Sequence, residues 1–270
     1  GDHVFGLPGL LASLGLVFAN SGSVADHHDE SGQGQWGELL AIQDRLLFAL
    51  QGWWLSAEGN LALPKGWLEH PATADAHTKL RKLLLVQANQ QKLPWAIRDP
   101  RCSRLLPLWI ALCRELEIPL QLVLAVREPA AFTASLLRQE GLLVGMDHHR
   151  AQLLWWRHNL EVVHSARSAG LSLTVFDFAG WFEHPRRQLE RLLTALPLMD
   201  PSAEQRDQVL ALIQHELRHS CSSAMQLDLD PAVRRLHQRL LRLPLSRRMP
   251  DSEPPARLLR AVSQADKSAA

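Results

Sequence analysis

The chain has 270 residues, 46% of them hydrophobic, which suffices for a full core in one large domain and excludes a disordered or fibrous chain. Its 29 Lys and Arg against 28 Asp and Glu leave a formal charge of +1, so nothing in the whole-chain electrostatics calls for nucleic acid or an anionic membrane as the main partner. Three widely spaced cysteines without a CxxC pair, Cys102, Cys113 and Cys221, suggest neither a disulfide framework nor a zinc site; reduced thiols in the cytoplasm are expected.

The first segment, VFGLPGLLASLGLVFA (residues 4–19), resembles the hydrophobic run of a secretory signal. It lacks a basic stretch before it and is interrupted by Gly6-Leu7-Pro8-Gly9, so it is read as neither a signal nor a membrane span. Gly1 in place of a methionine suggests a processed, tagged or incomplete start. The polar stretch NSGSVADHHDESGQGQ (20–35) reads as a surface loop before the helix WGELLAIQDRLLFALQGWW. From residue 72 the chain alternates helix and short apolar strand, the pattern of βα units on a parallel sheet. Helices are predicted at 73–91, 103–116, 130–142, 148–169, 185–196 and 203–217, with strands in PWAI, PLQLVLAV and LSLTVFDF. Gly170 is placed as a helix stop, and Pro185 and Pro201 as helix starts. Residues 1–225 are assigned to one domain, and 226–270 to a basic amphipathic helix at about 231–243 followed by a loose tail.

Chemistry gathers where strands end. Arg127-Glu128-Pro129 closes PLQLVLAV, at the carboxyl edge where open parallel sheets bind ligands. Pro129 suits a first helical turn, so free N–H groups and the positive helix end converge where Arg127 reaches, and Ser135 follows about two turns on. Spacing leaves two readings open: an anion site, or an arginine paired with a nearby carboxylate and a quietly packed serine. WAIRDPRCSRLLPLW (95–109) repeats the arrangement with Arg98, Asp99 and Arg101, where a plain salt-bridge cluster tying helix ends is the alternative. The histidine-rich runs at 26–30 and 147–149 lack regular metal-ligand spacing and read as polar loops, and no metal is expected.

Taken in order, WAIRDPR…LPLW, VLAVREPAAFTASLLRQEG, LLWWRHNLEVV and LTVFDFAGWFEHPRRQLERL resemble the bacterial sulfotransferase-like family, over about residues 1–220 and most closely over 94–190. The resemblance implies an α/β fold with a P-loop-like parallel sheet and helices on both faces. It implies binding of the sulfuryl donor 3'-phosphoadenylyl sulfate (PAPS), and of its product PAP, beside a hydroxyl-bearing acceptor, a small molecule or glycan. By the same resemblance Arg127 and Ser135 hold the donor's 3'-phosphate, and Arg98 stands where the family's lysine stabilises the leaving oxygen. Glu38 and His28, with His27, are the general-base candidates near the family's glutamate position. The family's donor loop aligns with GDHVFGLPGLLASLG, where Gly1, His3 and Gly6 match while Val4, Phe5, Leu7 and Pro8 replace expected donors and no strand precedes Gly1. That departure keeps a second reading alive, a sulfotransferase-fold binding module without catalysis.

Overall fold

The computed structural model describes residues 17–18, 37–52, 62–90, 95–97, 99–140, 146–196, 198, 200–220, 228–242 and 254–269. Four strands are described: β1 (Val17–Phe18), β2 (Trp95–Ala96), β3 (Leu122–Val126) and β4 (Leu173–Asp177). β1 pairs parallel with β2 and β3 parallel with β4, so two short parallel pairs stand where one sheet was expected. Helices α1 (Gly37–Ala49), α2 (Pro71–Gln90), α3 (Arg101–Arg104), α4 (Leu106–Glu115), α5 (Pro129–Glu140) and α6 (His148–Ser168) precede β4. After it come α7 (Gly180–Glu183), α8 (Pro185–Ala195), α9 (Ala203–Ser220), α10 (Pro231–Leu241) and α11 (Ala256–Ala269). The class is α/β, mostly helical.

Strand alternation explains why helices cover both faces of the β3–β4 pair. Leu124, Val126 and Val175 pack with Trp155, Trp156, Leu160 and Leu236 of α6 and α10. On the opposite face Val123 and Phe176 pack with Leu189, Leu192, Val209 and Ile213 of α8 and α9. Period-two alternation with apolar residues on both sides is what a parallel strand buried on both faces requires.

α6 is the central helix. Its 21 residues extend about 31 Å. It begins at Asp147, whose carboxylate accepts from the backbone N–H groups of His149 and Arg150 at 2.8 Å each, and it ends at Gly170, with φ of +67°. One side joins the cluster with β3, α10 and α11, while Val162 and Ala166 join the cluster built by α1, α2 and α4. A helix apolar on more than one side is buried by more than one neighbour.

Three expectations need correction. The helix expected at 103–116 is two helices, because Pro107 has no N–H to donate to the preceding turn and instead starts α4 in its first positions. The first segment, read without a strand of its own, carries one: Val17–Phe18 pairs with β2. Residues 256–269 form α11 rather than a loose tail; Pro254-Pro255 stands just before the helix, whose Leu258 and Val262 are buried in the α6 cluster.

Candidate functional site

Arg127 leaves the carboxyl end of β3 half-buried, with its guanidinium carbon 5.7 Å from the centre of the Phe178 ring. The edge is fixed from two sides. Phe178 N–H donates to the Val126 carbonyl at 2.9 Å, continuing the pairing of β4 with β3, and the Trp155 indole N–H donates to the Arg127 carbonyl at 2.9 Å. Glu128 modifies the anion site expected here: its carboxylate accepts from the Ala131 N–H at 2.7 Å, so the protein itself places a negative group on the first turn of α5. Ser135 lies about 9 Å of helical rise beyond Pro129 and is buried, at 5% exposure.

α10 reaches the same edge. The His237 ring stands edge-on to Trp155, with centroids 5.9 Å apart, and its Nε2 is buried without a hydrogen-bond partner among the described residues. Burial lowers its pKa, while the charges of Glu128 and Asp177 pull it up. His237 and Phe178 are site neighbours that spacing did not single out, and Trp155 joins them from α6. α10 is about 100 residues downstream of β3, too far for spacing to bring His237 to this edge.

At the end of β2 the arrangement is a clamp. Arg101 donates from Nε to Asp44 Oδ1 at 2.5 Å and from Nη2 to Asp44 Oδ2 at 3.0 Å, and its Nη1 reaches Asp99 Oδ1 at 3.1 Å. Gln43 donates its amide N–H to Asp99 and accepts from the Trp109 indole N–H at 3.0 Å. Asp99 keeps 1% of its side chain exposed, and burial raises its pKa although Arg101 opposes the rise. The Asp99-Pro100-Arg101 turn is thus used to bind α1 to the β2 edge, the salt-bridge alternative of the two. Asp44 and Gln43 carry no spacing signal that would have named them.

Glu38 is exposed on the first turn of α1, where the positive helix end favours a carboxylate. Arg98, His28, His27, His3 and Gly6 lie outside the described residues. Asp147 of the 147–149 run acts as the cap of α6 and pairs with Arg150 at 2.8 Å. Among the described residues no group of three or more His, Cys, Asp or Glu is placed to hold a metal ion. Burial pushes the Cys113 thiol up to about 11 and Cys102 well above its ordinary value, so neither is a ready thiolate. Among the described residues no helix is long and apolar enough to cross a membrane. A shallow hollow of about 470 Å³ runs along α8, lined by Arg187, Glu190, Arg191, Thr194 and Ala195, and includes none of the residues above.

No protein-family model, no curated protein and no solved structure matches the chain.

Proposed function

We propose that the chain is a sulfotransferase of P-loop-like architecture that moves a sulfuryl group from PAPS to a hydroxyl of a small molecule or glycan. The observation that carries this reading is the β3 edge: a parallel strand ending in Arg127, a helix begun by Pro129, and Ser135 two turns into that helix. The two strand pairs continue, in this reading, as one sheet. Ala96 and Val123 pack on one cluster and Ile97 and Leu124 on another. The donor loop then belongs after β1. Its natural place is the connection to α1, where Asn20-Ser21-Gly22-Ser23 supplies the hydroxyls that residues 4–8 lack. His3 and Gly6, the donor-loop residues that the resemblance implies, precede β1 in the sequence.

In-line sulfuryl transfer requires positioning and neutralisation of charge, as phosphoryl transfer does. Arg127 and Ser135 hold the 3'-phosphate; Arg98, which precedes Asp99 in the sequence, stabilises the leaving oxygen and keeps its charge throughout. Glu38 or His28 takes the acceptor proton. The binding-module reading keeps the same donor contacts without turnover.

Transfer of labelled sulfate from PAPS to a panel of hydroxyl acceptors separates the two. The enzyme reading expects turnover that falls about a hundredfold or more in Arg98→Ala, the loss typical of an oxyanion donor, and that Arg98→Lys largely retains. No turnover on any acceptor, with the product nucleotide still bound, leaves the binding module.

A further inference from the structure

On the face of the β3–β4 pair that is turned away from α6, α8 carries the open hollow of about 470 Å³. Its lining residues, Arg187, Glu190, Arg191, Thr194 and Ala195, recur at helical spacing and form one face of the helix. Two guanidinium groups therefore stand one turn apart over the same space. Four residues apart on a helix, like charges repel, so the pair costs α8 stability and does not help to build it.

Arg191 is fixed in place. It donates from Nη2 to the Val175 carbonyl and from Nη1 to Gln188 Oε1, at 3.0 Å each, and its guanidinium carbon stands 5.2 Å over the centre of the buried Phe176 ring. These bonds take two of the five guanidinium N–H groups and leave the others for a further acceptor. Arg187 is exposed and has no hydrogen bond or ion pair among the described residues. The carboxylate of the hollow does not serve either of them: Glu190 accepts from Arg206 Nη1 at 2.5 Å, and Arg206 in turn pairs with Asp200 at 2.5 Å. Three arginines against two carboxylates leave this face positive. Thr194 Oγ1 is engaged as well, donating to the Glu190 carbonyl at 2.8 Å.

The geometry points to a binding site in this hollow for a small phosphate monoester, its phosphoryl group gripped by Arg187 and Arg191 and its organic part lying against the arginine stems, Thr194 and Ala195. One guanidinium fork satisfies a carboxylate, whereas a dianionic phosphoryl group has three terminal oxygens and accepts from two guanidinium groups at once. The volume is that of a small-molecule site, and the mostly apolar lining takes the body of the ligand while the charges fix its head. Because Arg191 is already held, only Arg187 has to be ordered on binding. The site includes neither Arg127 nor Ser135, and it does not rest on the sulfotransferase reading.

Phenyl phosphate, a dianion at about pH 8, is the probe, titrated calorimetrically into the full chain and into Arg127→Ala, with benzoate at equal ionic strength as the comparison. Both chains should bind it saturably, at least about tenfold more tightly than benzoate. In the Arg127→Ala chain, where the β3 edge no longer contributes, adding Arg187→Ala should weaken the binding by about ten- to a hundredfold, and Arg187→Lys should weaken it less. Arg187→Ala should leave the urea midpoint unchanged or raise it, since it relieves a repulsion and removes no partner. Arg186→Ala, an exposed arginine that does not line the hollow, should bind as its parent does. Binding no tighter than that of benzoate, a response without saturation, loss of binding in Arg127→Ala alone, or equal losses in Arg186→Ala and Arg187→Ala overturns the proposal.

Discussion

His158 and Glu161 sit three residues apart on α6, yet burial moves their proton affinities in ways that oppose each other in the folded protein's stability. The folded pKa of His158, about 3, is depressed from 6.5, so its contribution is complete above pH 6.5 and is lost as pH falls, by about 1.4 kcal/mol per unit. The folded pKa of Glu161, about 6, is raised from 4.5. Its contribution is complete below pH 4.5 and is lost as pH rises toward 6, at most about 2 kcal/mol and less for its partial exposure. Between pH 4.5 and 6 the two nearly cancel. Glu161→Gln should uncover the histidine: urea unfolding at pH 4.5 and 6.0 should show the variant losing about 1–2 kcal/mol more than the parent on acidification. Equal losses would contradict the assignment. None of this was legible in the sequence, because the pKa of a side chain depends on burial and on neighbours such as Arg104, 57 positions from Glu161, which spacing does not bring together. Arg127 was legible, because a charged residue between an apolar run and a proline marks a strand-to-helix junction by itself. Which of the two readings Asp99 and Arg101 would take was not, since it depended on Asp44 and Gln43 of α1.

α11 carries the clearest difference between local pattern and packing. Leu258 is 1% exposed and Val262 6%, one turn apart, and both seat against α6. Leu258→Ala should therefore cost about 2–4 kcal/mol in denaturant unfolding, as removal of a buried leucine does. A loose tail would lose no more than about 0.5 kcal/mol. The long helices were readable because their apolar period runs over many turns and their ends carry punctuation: α6 from Asp147 to Gly170, α8 from Pro185. Short elements escaped for the converse reason. β1 has two residues inside a run that is apolar throughout, and α7 has four, so neither shows a period. Pro107 marks the break between α3 and α4, but the apolar residues continue through it and mask the division.

The molecule as a whole brings the ends of β3 and β4 and the helix α10 to one place. β3 and β4 are parallel, their loops emerge on the same side, and α10 packs His237 against Trp155 there. A parallel pair with helices on both faces is a common framework, so the function depends on the edge and not on the framework. The direct measurement is calorimetric titration of the full chain with 3'-phosphoadenosine 5'-phosphate and with adenosine 5'-phosphate. The 3'-phosphorylated nucleotide should bind at least about tenfold more tightly, and Arg127→Ala should weaken it by roughly thirty- to a hundredfold, the loss of a charge-assisted contact, while leaving adenosine 5'-phosphate unchanged. Equal binding of the two nucleotides, or no effect of Arg127→Ala, would contradict a 3'-phosphate site at the end of β3.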